Sequence, residues 1–237
     1  VFMPITTPNQ KIKQVKKFGK DNIEVVLFGN NFTQAYKKAL EDCKTNGKTF
    51  IHPFDDIKVI EGQATVFLEI LNQFKNKIDY IFIPIGGGGL ISGAINVFKQ
   101  LSPSTKIVGI EPMGAPSMFK SLKQKKLVTL EKINGFVDGA AVKKVGNYSF
   151  DYCKDFLDDI ILIDEGEICK SILDLNKIEG IVAEPAGAMS AAALRQYKDK
   201  IINKNVVCII CGGNNDEQRM PEINKRAKTW MINNPSC

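Results

Sequence analysis

Short apolar runs alternate along this chain with stretches whose apolar residues recur every three or four positions. The runs Glu24–Phe28, Thr49–Pro53, Tyr80–Ile85, Lys106–Ile110, Asp159–Ile163 and Val206–Ile210 read as strands. Several are unbroken Val/Ile sequences, the pattern of strands covered on both faces. Between them one helix gathers Phe32, Ala35, Tyr36, Ala39, Leu40 and Cys43 on a face. A second gathers Val66, Phe67, Ile70, Leu71 and Phe74, and a third Ile168, Cys169, Ile172 and Leu173. Residues 90–101 repeat the pattern with Leu90, Ile91, Ala94, Ile95, Phe98 and Leu101, and Glu222–Trp230 forms a final helix before the tail Asn233–Cys237. Strands alternating with helices predict an α/β fold, an open and largely parallel sheet flanked by helices.

Ligands of such sheets bind beyond the carboxyl ends of the strands. Three of those ends are polar or glycine-rich: Gly86–Gly89, Glu111-Pro112 and Cys211-Gly-Gly-Asn-Asn215. They are expected to share one pocket. The tetraglycine lies between the strand ending at Ile85 and the helix opening at Leu90. It has no side chains to offer, only backbone N–H groups at the positive end of a helix, which suits a phosphate.

Two common phosphate loops do not fit. Gly88 and Gly93 have the spacing of a Walker loop, but Ala94 stands where its lysine belongs. A dinucleotide fingerprint would place its third glycine at Ile91 or Ser92, so both registers fail. The strand Lys106–Ile110 followed by Glu111 still imitates the strand and acid that grip a ribose. Tight strand–helix packing would account for one or two glycines, but four in a row cost considerable backbone entropy.

Composition narrows the class. The chain has 237 residues, 44% of them hydrophobic, enough for a sizeable core. No apolar stretch is long enough for a bilayer and no signal-peptide pattern opens the chain, so no membrane is expected and a cytoplasmic location is. The net charge is +6, and its densest basic stretch, Lys11–Lys17, is almost pure lysine at helical spacing. It reads as a solvated helix face, and no nucleic-acid partner is expected. The six cysteines are irregularly spaced, which suits reduced thiols. Cys208 and Cys211 match C-x-x-C, but residues three apart on a strand face opposite sides. With His52 the only histidine, a zinc site is not expected.

The tetraglycine followed by Leu90 resembles the phosphate loop of fold-type II pyridoxal-phosphate enzymes. Further segments resemble the threonine dehydratases of that family in order and spacing. They are Thr7-Pro8 with the lysine-rich run to Phe18-Gly19, His52-Pro-Phe-Asp-Asp56, Glu61-Gly-Gln-Ala-Thr65, Val108-Gly-Ile-Glu-Pro112, Phe136–Gly146, Ala183-Glu-Pro-Ala-Gly-Ala188 and Cys211-Gly-Gly-Asn214. The similarity runs from residue 1 to about residue 228.

This resemblance implies a pyridoxal 5'-phosphate cofactor and a small amino-acid substrate. The activity implied is conversion of L-threonine to 2-oxobutanoate and ammonia, in isoleucine biosynthesis or threonine catabolism. L-serine dehydratase and serine racemase-like activities stay open, as does an inert fragment. Residues 1–54 would belong to the smaller domain and 55–237 to the larger, cofactor-binding one. The complete enzyme would be a homo-oligomer, a dimer or tetramer. The amides of Gly86, Gly87, Gly88, Gly89 and Leu90 would hold the cofactor phosphate. Cys211, followed by Gly212, falls where relatives place a Ser, Thr or Cys beside the pyridine nitrogen, and a neutral partner there suits β-elimination. Gly139 would approach the ring, with Glu184 and Asn214 as supporting residues one layer out. Relatives that bind a divalent cation use a Glu-x-x-x-Ala-x-Asp stretch. Here Ser117 replaces the acid, so no metal is expected.

Two family segments are missing from residues 1–237. The Ser-x-Lys-x-Arg segment with the Schiff-base lysine is absent, and so is the Ser-x-Gly-Asn-His segment that grips the substrate carboxylate. Lys143 and Lys144 lie in the family's own Ala-Val-Lys-Lys stretch and are not that lysine. The chain therefore reads as the C-terminal part of a catalytic domain, without a feedback-sensing domain.

Overall fold

The computed structural model describes residues 1–235; Cys237 lies outside the described residues. The chain begins with β1 (Phe2–Met3), α1 (Asn9–Gly19), β2 (Val26–Leu27) and α2 (Phe32–Asn46). It continues through α3 (Ile57–Gln73), β3 (Tyr80–Pro84), α4 (Gly89–Leu101), β4 (Lys106–Pro112), α5 (Ser117–Gln124) and α6 (Asn147–Phe156). The last part holds β5 (Asp159–Ile163), α7 (Glu165–Glu179), α8 (Pro185–Tyr197), β6 (Val206–Cys208) and α9 (Met220–Asn233). Strands β1 and β2 form a short parallel pair, while the other four form a parallel sheet in the order β5-β4-β3-β6. Among the described residues, no helix is long and apolar enough to cross a membrane.

The sheet is covered on both faces because its strands are apolar at most positions on either side. Side chains alternate between faces. Ile81 and Ile83 of β3 pack with Phe67 of α3 and Phe98 of α4. Phe82 between them turns to the other face and meets Ala188 and Tyr197 of α8. Each fully buried side chain of this size contributes about 1.5–3 kcal/mol. Helix entry is set locally. Asn31 accepts the Gln34 amide at 3.1 Å, Asp56 the Lys58 amide at 2.8 Å, and Asp164 the Gly166 amide at 2.7 Å. Gly47 and Gly180 close α2 and α7 with φ of 62° and 67°, a region glycine reaches without steric cost.

One expected strand is not formed. Residues 49–53 run as an irregular segment. No neighbouring strand offers them a ladder, and His52 turns the chain by accepting the Phe54 and Asp55 amides on Nδ1, at 3.2 and 2.7 Å. Its aromatic residues instead build a cluster of Phe50, His52 and Phe54 against Phe32 and Tyr36 of α2.

Glu111, expected at the ligand pocket, is fully buried elsewhere. Strand β4 lies on the opposite side of β3 from β6, and Glu111 reaches the start of α5. Its carboxylate accepts the Met118 and Phe119 amides at 2.7 and 2.8 Å, a helix-start role that explains an acid there without a metal. Burial pushes its carboxyl up to about 7, against those amides, which hold it down. The folded value lies above the ordinary 4.5, so the stability it contributes is complete below pH 4.5 and is lost as pH rises through about 7. Glu111→Gln removes one acceptor and should cost about 1–3 kcal/mol. Urea denaturation at several pH values should also show a flatter stability profile between pH 4.5 and 7 than in the parent chain.

Candidate functional site

The carboxyl ends of β3 and β6 adjoin, and β4 leaves β3 on the other side. That is the switch point of the sheet, where open α/β folds leave a crevice. A cavity of about 390 Å³ occupies it, lined by Gly86–Gly89, Leu90, Gly139 and Cys211 together with Phe54 and Gln63. Two of the three segments expected there are therefore present, and Glu111-Pro112 is not. A larger hollow of about 810 Å³ lies at the outer edge among Glu167, Arg195 and Trp230. It is remote from the β3 and β6 ends, and volume alone does not mark the site.

The tetraglycine turns from β3 into α4. Only Gly88, the residue before the helix, has a positive φ, at 95°. Among the described residues, the amides of Gly86, Gly87 and Gly88 have no backbone or side-chain acceptor, and those of Gly89, Leu90 and Ile91 sit in the first turn of α4, where none exists. No acidic side chain stands in that turn. Space forbids side chains in the loop. A Cβ at Gly87 would lie 2.1 Å from the Phe54 ring, and one at Gly88 would lie 2.5 Å from Ser149 Cβ. A Cβ at Gly86 or Gly89 would meet backbone oxygens at 3.0 Å. Unspent N–H donors at a helix start, in a loop that admits only glycine, fit a phosphate group.

Charge collects behind Asp138, which lines the cavity. Lys11 of α1 donates to Asp138 at 2.7 Å and to Glu184 at 3.3 Å, and Arg219 donates to Asp138 at 3.0 Å. Burial lowers the Lys11 ammonium, but Asp138 and Glu184 outweigh it and hold it above its usual value. The lysine-rich helix is thus a solvated face at Lys13, Lys16 and Lys17 but not at Lys11. The sequence signal was available, since Lys11 follows Thr7-Pro8 in the first of the resembling segments, but periodicity alone hid it.

Glu184 precedes α8 and is 7% exposed. Its carboxylate fits between two glycines: a Cβ at Gly139 would lie 2.8 Å from its oxygen, and one at Gly212 would lie 2.7 Å from its carboxyl carbon. Cys211 is reached by solvent at the cavity, yet partial burial first and the Glu184 charge second push its thiol up to about 11. It is neutral at physiological pH. Gly212 supports the site from behind, its carbonyl accepting the Glu184 amide at 3.0 Å. Asn214 lies outside the cavity, beside Gln14, Val15 and Phe18 of the α1 region. Lys143 donates to the Glu131 carbonyl at 2.7 Å and does not line the cavity. All five described cysteines are free, and no group of described His, Cys, Asp or Glu residues could hold a metal ion.

A parallel α/β sheet with an anion cradle at its switch point and a neutral thiol facing it defines a cofactor-binding class. A family profile described as pyridoxal-phosphate dependent enzyme matches residues 1–212. The chain belongs to that family. It is 54% identical over 227 residues to the biosynthetic L-threonine dehydratase IlvA of Halalkalibacterium halodurans, and 51% identical to the protein of that name from Bacillus subtilis. Each match covers 96% of this chain, and the chain spans about half the length of these relatives, 55% and 54%. Among solved structures it is similar to the processed threonine deaminase isoform 2 of Solanum lycopersicum, with a TM-score of 0.87 and 40% identity, covering 96% of this chain and 62% of that one. Maize serine racemase follows with a TM-score of 0.83 and 28% identity, over 96% of this chain and 69% of that one.

Proposed function

We propose that this chain is the cofactor-holding part of an L-threonine ammonia-lyase, which dehydrates and deaminates threonine to 2-oxobutanoate and ammonia. The reading is carried by the unpartnered amides of Gly86–Leu90 facing Cys211 across one cavity. Identity above 50% to proteins named threonine dehydratase supports threonine as the substrate over serine.

Bound pyridoxal phosphate would supply the electron sink for loss of the α-proton and the β-hydroxyl. The chain's own residues would do the rest of the holding. The Gly86–Leu90 amides take the phosphate, as preorganised donors that need no rearrangement. Gly139 lets the backbone approach the ring. Cys211 offers the ring nitrogen a neutral hydrogen-bond partner, and Gly212 allows Glu184 to pack behind it. The unit 1–54 would form one wall of the cleft through Phe32, Pro53 and Phe54, and the unit 55–237 the floor. No residue of 1–237 is assigned the α-proton, because the lysine segment that supplies the amine in the family is not among them.

The test separates binding from turnover. The chain is incubated with pyridoxal phosphate, gel-filtered, and read by cofactor absorbance and by the ³¹P resonance. Retention is expected, with inorganic phosphate competing and no 2-oxobutanoate formed from threonine. Loss of all cofactor on the column would reject the site. Turnover at enzyme-like rates, with intact mass confirming this chain alone, would show that the proton-removing base lies within residues 1–237.

A further inference from the structure

Lys11 is the one ionic partner of Glu184 among the described residues. Asp138, the other acid on Lys11, has a second cation in Arg219 at 3.0 Å, whose guanidinium also donates to the Phe136 carbonyl at 2.6 Å. Glu184 has no such reserve: among the described residues the Lys11 ammonium at 3.3 Å is the only side-chain donor to its carboxylate. Loss of the lysine charge would therefore fall on Glu184 rather than on Asp138. The carboxylate is almost fully buried, and leaving it there unpaired is costly. The Glu184 charge bears on the Cys211 thiol, and the Gly139 and Gly212 faces against it present no side chain.

We propose that Lys11 is a positioning residue of this site: its ammonium holds the Glu184 carboxylate between Gly139 and Gly212, so that the group meeting the cofactor's ring nitrogen is the neutral Cys211 thiol and not an acid. This rests on the cofactor reading above. It gives Lys11 a task distinct from the family's absent amine, since a lysine held protonated by two carboxylates is a charge and not a nucleophile. It also gives Gly139 and Gly212 a shared purpose, because a side chain at either would expel the Glu184 carboxylate from its slot.

The experiment loads the chain with pyridoxal phosphate labelled with ¹⁵N in the ring and reads the ring nitrogen resonance, which moves strongly upfield on protonation. The parent chain and Lys11→Arg should give the neutral-ring position. Lys11→Met should move it upfield, because the released carboxylate stabilises a proton on the ring. Lys11→Met combined with Glu184→Gln should return it to the parent position. Glu184→Gln alone should leave it unmoved, which keeps the test decisive even if Lys11→Met does not fold. An unmoved resonance in Lys11→Met with cofactor retained would overturn the proposal. So would an equal shift in the double variant, or a shift in Glu184→Gln alone, which would make Glu184 the ring's partner in the parent. Failure of the parent to retain cofactor would instead reject the cofactor reading, and this proposal with it.

Discussion

Gly87→Ala is expected to weaken binding of pyridoxal phosphate by up to about a hundredfold while the sheet stays folded. The added methyl would lie 2.1 Å from the near carbon of the Phe54 ring. That ring cannot step aside cheaply. It is wedged edge-on against His52 at 4.6 Å and against Phe32 at 5.8 Å, and its own amide is held by His52. The loop must move instead, and its amides lose their common aim. Overpacking of this kind costs about 1–3 kcal/mol. Affinity falls tenfold for each 1.4 kcal/mol or so carried into binding. Gly88→Ala should be worse, because the residue also needs a φ of 95°. Gly62→Ala is the control. It lies inside α3 with nothing within 4 Å of its Cβ, and should raise stability by about 0.5–1 kcal/mol with binding unchanged. Equilibrium binding by cofactor fluorescence, beside urea denaturation, measures both terms. Parent-like affinity in Gly87→Ala would remove the tetraglycine from the site.

If the proposed ammonia-lyase function holds, Cys211→Asp in a chain extended to the length of its relatives should redirect the chemistry rather than merely weaken it. A carboxylate within about 4–6 Å of a titrating nitrogen favours its charged form by about 1–3 pKa units. The ring would then be largely protonated at neutral pH and become a stronger electron sink. Output of 2-oxobutanoate should fall, with racemised threonine and pyridoxamine phosphate appearing in its place. Chiral chromatography of the amino acid and absorbance of the released cofactor read both. Cys211→Ser should be nearly silent, because a hydroxyl makes the same neutral hydrogen bond and the thiol is already held neutral by its surroundings. Equal damage from Ser and Asp, with folding intact, would mean that another residue faces the ring.

Much of this arrangement is written in local pattern. The continuous apolar run Tyr80–Ile85 requires a strand covered on both faces, and the structure covers it with α3 and α4 on one side and α8 on the other. The strand Asp159–Ile163 keeps its sequence-read bounds. The tetraglycine reads as a candidate phosphate loop because four residues without side chains have few other uses. Local pattern failed where a partner was needed. Residues 49–53 have strand-like composition, but a strand exists only when another lies beside it, and just past them His52 turns the chain by accepting the Phe54 and Asp55 amides. Glu111 has the sequence position of a ligand acid. Only the order β5-β4-β3-β6 sends it away from the cavity and beneath α5.

Lys11 shows the limit most sharply. Along the chain it is one lysine in a basic helix, indistinguishable by period from Lys13, Lys16 and Lys17. Its pairing with Asp138 and Glu184 spans 127 and 173 residues of sequence. The sequence by itself determined the fold class and the glycine turn between strand and helix, because these follow from residues read within a few positions of one another. The tertiary structure alone decided which charges meet at the site, because ion pairing depends on distances across the fold, and neither composition nor periodicity carries them.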